Sequence, residues 1–263
     1  MGGLVIRAGF AGSRTVIEDV SGTEPWRARI LATGTVARVA LVQTRASLLG
    51  GDDVELSIAV GDGAALEIVE LGATLAHDVR GGPGTRIRVE IQVGAGARFV
   101  WTGEPLIVAA GASVQRSTTV ELGGSARALL GEAIVFGRSG EHPGALVART
   151  RIACEHRATI DETLDTRDLA TLRSAVVAGD ARMVSSLTLA GIRDQSPPAG
   201  SMQAHGPATL WRSVGRAVAG AQAATGLSAR WRALVLDDAR VPGAADVDAA
   251  LGRSSAVALA ASG

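Results

Sequence analysis

The chain has 263 residues, 26 Lys+Arg against 26 Asp+Glu, and 47% apolar residues, enough for one large domain or two small ones around a sizeable core. The even charge balance excludes a protein built on a basic nucleic-acid footprint. All 26 basic residues are arginine, and lysine and tyrosine are absent. P-loop and kinase-lysine phosphate chemistry, Schiff-base chemistry and lysine or tyrosine general bases are therefore removed.

From Leu4 to about Thr163 the pattern predicts short strands, with period-2 alternation broken by glycine-containing turns. DVELSIAV (53–60), RIRVEIQV (86–93) and STTVEL (117–122) each place aliphatic residues on one side and polar residues on the other. That is the mark of a sheet with one wet face, and antiparallel pairing is the expectation. VGDGAALEIVE from Val60 and VGAGARFVWTG from Val93 share V-G-x-G-A, and LGGSARALLGE from Leu122 is a looser copy. The repeat predicts a unit of two strands around a glycine turn, stacked as hairpins, with Asp62-Gly63 as a good turn dipeptide.

Residues 191–207, with their proline pair, read as a long surface loop. Pro207 then opens a predicted helix over 208–226, with Leu210, Trp211, Val214, Val218 and Ala221 on one side, Arg212 and Arg216 on another, and Gly226 as C-cap. A closing strand over 230–238 and a short helix over 244–251 complete the chain. The expected whole is a single, mainly β domain over 1–263. Its β body over 1–190 is a layered hairpin stack, sandwich-like or β-helical, and 191–263 supplies the loop, one or two short helices and the closing strand.

No G-x-S-x-G elbow is present, and His77, His142, His156 and His205 are scattered without metal-site spacing. Cys154, in an alternating strand, reads as a small core residue. One cysteine cannot form an intramolecular disulfide, and MGGLVIRAGFAGSR has no signal-peptide pattern, so a cytoplasmic location is expected. No apolar run reaches the roughly 20 residues of a membrane span.

Two polar clusters stand out. In SLLGGDDVELSIAV (47–60), Asp52 either bonds the amides of its own turn or points inward to meet an arginine or a cation. Asp52 and Asp53 face opposite sides of a strand and cannot share one reacting centre without a bulge. In residues 129–152, Glu132, Arg138, Glu141 and His142 surround glycine turns and read as an arginine–carboxylate staple between strands.

The order of motifs resembles the urease accessory protein UreD family, called UreH in some organisms. The match runs through LLGGDDVELSIAVGDGAAL, ELGATLAHD, VGAGARFVWTGEPLIVAAGA, the T-x-V-E-L strand and FGRSGEHPGALVARTRI. It covers about residues 4–165 and continues more loosely to the end. Three places depart from the family pattern: Ala46 to Leu49 replace a Pro-Gly-Gly-Gly run, His77 and Asp78 replace a Lys and Tyr region, and W-T-G-E-P replaces W-L-P.

The resemblance implies a non-catalytic, β-rich protein that binds the urease apoprotein subunits and acts with UreF and the GTPase UreG, through which nickel reaches the urease active site. It implies no tightly bound cofactor, transient Ni2+, and a dimer within the larger complex. An interior nickel route would need weak oxygen or imidazole ligands. Asp52 and Glu132 are the first candidates to line it, followed by Glu141 and His77. Trp211, Arg212, Arg216 and Trp231 are candidates for contact with UreF, the alternative being that both tryptophans pack the helix onto the sheet. The rival functions are a β-sandwich binding or structural module with unrelated partners, and an enzyme using Asp52 or Glu132 as a general base.

Overall fold

The alternating segments assemble into two facing sheets, and a computed structural model describes residues 2–215 and 217–236. β1 (Gly2–Ala11) and β2 (Arg14–Gly22) form one hairpin, β3 (Trp26–Ala32) and β4 (Ala37–Gln43) another. Three coils follow. The first is β5 (Asp53–Val60), β6 (Ala65–Glu70) and short β7 (Thr74–Ala76). The second is β8 (Thr85–Val93), β9 (Arg98–Thr102) and short β10 (Leu106–Val108), and the third is β11 (Ser113–Leu122) with β12 (Arg127–Phe136). β13 (Ala145–Cys154) and β14 (Arg157–Asp165) close one end. Helix α1 (Leu169–Leu172), β15 (Met183–Ala190), β16 (Ser201–Gln203), β17 (Ala208–Gly215) and helix α2 (Ala217–Leu236) complete the described chain.

One sheet runs β14-β13-β11-β8-β5-β1-β2, the other β16-β17-β15-β12-β9-β6-β4-β3, with β7 and β10 attached to the side of the second. The protein is thus mainly β, with stacked, solenoid-like sheets and a C-terminal helix, as expected. The pairing inside the sheets is corrected. β5, β8, β11 and β13 pair in parallel, as do β4, β6, β9 and β12, while antiparallel pairs occur toward the ends of the body. Strands on either side of each glycine turn lie in opposite sheets, so the unit is an arch, not a hairpin. Alternation reports only which face is wet, and it is the same for either strand direction.

The arches explain the internal repeat. Val60, Val93, Leu122 and Cys154 occupy one row across the first sheet. Their turns stack, with Gly63 N–H donating to the Ala95 carbonyl at 2.9 Å and Gly96 N–H to that of Gly124 at 2.9 Å. Gly63, Gly96 and Ser125 hold the same turn position with φ of +70°, +64° and +59°. A glycine adopts that conformation without steric cost, which is why V-G-x-G-A recurs. Inward apolar side chains such as Ile58, Ile91, Leu56 and Phe99 are buried between the sheets, each contributing about 1.5–3 kcal/mol relative to exposure.

The predicted helix over 208–226 is also corrected. Residues 208–215 are β17, paired antiparallel with β15. Ala208, Thr209, Leu210 and Trp211 are all buried because one face of the strand meets the core and the other meets α2. A strand covered on both faces loses its alternation and can mimic helical spacing. The predicted closing strand falls largely inside α2, while residues 237–238 and the helix over 244–251 lie outside the described residues.

α2 seals a second small core made by Ala65, Val100, Leu129, Leu187, Leu189, Trp211, Trp231, Val235 and Leu236. Gly226, expected as a C-cap, lies within α2, exposed, and an added methyl there would touch nothing. Gly226→Ala is accordingly expected to raise stability by about 0.5–1 kcal/mol. A urea midpoint unchanged or lowered would contradict a continuous helix through this position.

Candidate functional site

The site arises from one row of inward positions on the second sheet. Ile68, Trp101 and Leu130 are neighbours across β6, β9 and β12. Two residues further along, alternation brings Glu70, Gly103 and Glu132 together, with Gly103 N–H donating to the Gly131 carbonyl at 3.1 Å. Gly103 has no side chain, and a methyl there would lie 3.2 Å from Glu70 Oε1. The gap leaves space where a filled core would otherwise continue.

Across this gap the first sheet contributes Arg116. On β11 the inward set is Val114, Arg116, Thr118 and Val120, of which Arg116 alone is charged. Arg116 Nη1 lies 3.2 Å from Glu132 Oε1. The resulting chamber, about 30 Å3, is lined by Glu70, Glu104, Glu132, Arg116, Trp101 and Trp26 among others. It shares Trp26, Glu70 and Thr74 with a wider cavity of about 230 Å3 whose outer wall includes Leu71. Leu71 is 56% exposed, so the wider cavity reaches the protein surface.

Glu70 is held firmly. Trp101 Nε1–H donates to its Oε1 at 2.8 Å and the Glu104 amide to its Oε2 at 3.0 Å. Burial is the largest influence on this carboxyl and pushes its pKa up to about 7, against the pull of Arg116 and the two hydrogen bonds. Burial raises Glu104 as well. Among the described residues no group of three or more His, Cys, Asp or Glu converges as a preformed metal site.

The family model described as UreD urease accessory protein matches residues 1–250. This chain belongs to the UreD family. It is 43% identical over 161 residues to urease accessory protein UreD 1 of Streptomyces griseus, covering 61% of this chain and 63% of that protein. It is 35% identical over 161 residues to urease accessory protein UreD of Streptomyces coelicolor, with the same 61% and 63% coverage. Against urease accessory protein UreD 1 of Saccharopolyspora erythraea the identity is 34% over 176 residues, 67% of this chain and 69% of that one. The chain therefore spans somewhat under two thirds of the two Streptomyces proteins.

Of the four residues picked for a UreD-like metal route, Glu132 alone lines the chamber. Asp52 Oδ2 accepts from Arg45 Nη2 at 2.9 Å and from the Leu49 amide at 2.7 Å, fastening its own turn, which is the first of its two readings. His77 follows β7, its amide bonded to the Leu48 carbonyl at 2.9 Å. Glu141 lies in the turn between β12 and β13, where Arg138 Nε donates at 2.7 Å and the Arg138 and Ala110 amides add bonds. Those bonds, led by the Arg138 side chain, hold its carboxyl down at about 2. The cluster expected over 129–152 is thus split: Glu132 pairs with Arg116, Glu141 with Arg138, and His142 meets Arg173.

Of the candidates for partner contact, Trp211 and Trp231 are turned into the protein, at 8% and 0% exposure, and fasten α2 to the second sheet. Arg212 pairs with Glu162 of β14. Arg216 lies outside the described residues. Glu70 and Glu104 were not among the sequence candidates. The available signal for Glu70 was parity, since in LEIVE it shares the face of Leu66 and Ile68.

The raised Glu70 carboxyl makes stability depend on pH. The folded protein keeps this proton up to about pH 7, whereas the unfolded chain loses it near 4.5. Folding therefore takes up a proton in that window, and stability falls as pH rises through it. Glu70→Gln keeps an acceptor for Trp101 and removes the buried charge. Its stability gain is expected to be larger at pH 8 than at pH 5 by about 1–2 kcal/mol, after allowance for screening through the cavity. Equal effects in urea melts at the two pH values would show that Glu70 titrates normally.

Proposed function

We propose that this chain is a non-catalytic docking and metal-transfer scaffold of urease maturation, acting with UreF, UreG and the urease apoprotein to bring nickel to the urease active site. The observation that carries the reading is a chamber lined by three glutamates, in a member of the urease accessory family, sharing Trp26, Glu70 and Thr74 with a wider cavity that reaches the surface. Oxygen donors suit weak, exchangeable binding of a divalent ion, and a partly hydrated chamber lets it move between them. In this reading Glu70, Glu104 and Glu132 line part of the route, and Ni2+ is cargo that is never held as a resident cofactor. No bond is made or broken on this polypeptide.

Co-expression with UreF and apourease, followed by affinity capture of this chain, tests the docking half. Both proteins are expected in the eluate at near-stoichiometric amounts. Capture of neither would place the chain outside urease maturation and revive a structural module with unrelated partners.

A further inference from the structure

The chamber contains a cation of its own. On β11, Arg116 replaces what alternation would make another aliphatic, and it lines, with Glu70, Glu104 and Glu132, a space of about 30 Å3. Its side chain is 17% exposed, and that of Glu132 is 21% exposed. A guanidinium so placed loses most of its hydration and is held by the charge opposite it. The hold is loose by comparison with other pairs in the same protein. Arg116 reaches Glu132 by one contact at 3.2 Å, and its buried Nε makes no hydrogen bond. Arg232 grips Glu67 with a two-pronged fork at 2.6 and 2.8 Å. Charge-assisted bonds of full strength lie near 2.7–2.9 Å and use both prongs.

A second polar group is left unused on the same strand. Thr118 is 7% exposed, its hydroxyl has no partner, and it occupies the inward face two residues from Arg116. It is in register with Val89, which lines the chamber. An unpaired buried hydroxyl is costly, and this one lies on the same inward face of β11 as Arg116.

We propose that Arg116 is the resident counter-ion of this chamber, occupying the place that a divalent cation takes in passing, so that the guanidinium limits how tightly the chamber holds its cargo. The inference rests on the metal-route reading given above. In the empty protein the guanidinium pairs with Glu132. An entering cation competes for the same oxygens, and two positive groups a few ångströms apart in a poorly solvated space repel strongly. Arg116 swings away on its flexible stem, the ion is held weakly, and the return of the guanidinium expels it onward.

The test is calorimetric titration of Ni2+ into the purified full-length chain, with quenching of tryptophan emission as a second readout because Trp101 abuts the site. Arg116→Gln is expected to bind Ni2+ about ten-fold more tightly than the parent, Arg116→Lys within about two-fold of it, and Glu132→Gln more weakly. Should Arg116→Gln fail to fold, the pair Arg116→Met with Glu132→Gln removes one charge of each sign. It is expected to bind about ten-fold more tightly than Glu132→Gln alone. Unchanged or weaker binding on removing Arg116, while Glu132→Gln still lowers affinity, would overturn the counter-ion and leave the route standing. If no substitution at Glu70, Glu132 or Arg116 alters Ni2+ binding, the route itself fails and the counter-ion with it.

Discussion

Trp231→Ala is expected to destabilise the protein by about 3–5 kcal/mol, the range for emptying a large buried aromatic site. The indole is fully buried against Ala65, Val100, Leu129, Leu187, Leu189 and Trp211, and its Nε1–H donates to Asp194 Oδ2 at 2.8 Å. Asp194 is itself 4% exposed, and Arg230, the residue preceding Trp231 in α2, pairs with it. Removing the indole takes away both the apolar plug and one donor to a buried carboxylate. α2 should loosen first, and the core between the two sheets should persist. Chemical denaturation followed by circular dichroism measures the total, and hydrogen exchange shows where protection is lost. A loss under about 1 kcal/mol would mean that α2 is not sealed to the sheet as described.

Glu132→Gln is expected to lower urease activation at limiting nickel by about ten-fold, with assembly of this chain onto its partners intact. A neutral amide fills the same volume, so packing along β12 is kept, while the carboxylate that pairs with Arg116 and, in the proposed role, donates oxygen to a passing ion is removed. Asp52→Ala should behave differently, because its oxygens fasten a turn through Arg45 and Leu49. There the expected loss is about 1–2 kcal/mol of stability with little effect on nickel transfer. Urease activity per assembled complex separates the two. Equal losses of activity and assembly in Glu132→Gln would make that residue a scaffold partner only.

The β class, the stacked repeat and the family were legible in the residues, because Val60, Val93 and Leu122 really are equivalent positions of successive coils. Strand direction was not, since a sheet with one wet face alternates identically in either sense. Residues 208–215 misled for the opposite reason: with both faces of β17 covered, the alternation vanished and helical spacing took its place. Glu132 stands out in the sequence through its surroundings, and the structure sets it in the chamber wall. Glu70 ends a strand and reads as a solvent-facing carboxylate until the register of β6, β9 and β12 sets it across Gly103 from Glu132. Arg116 looked like any wet-face arginine in STTVEL's neighbourhood, and its inward position follows from counting back from Val120 and Thr118. Register between strands 15 to 60 residues apart carries that information, and no single segment contains it.

In the proposed role, nickel is delivered to another protein's active centre. The direct measurement is nickel per urease active site in enzyme purified from cells grown at limiting nickel, with and without this chain. Near-full metal occupancy is expected with it and a small fraction without it, restored by the wild-type chain and not by Glu132→Gln. Fully metallated urease in cells lacking the chain would contradict it.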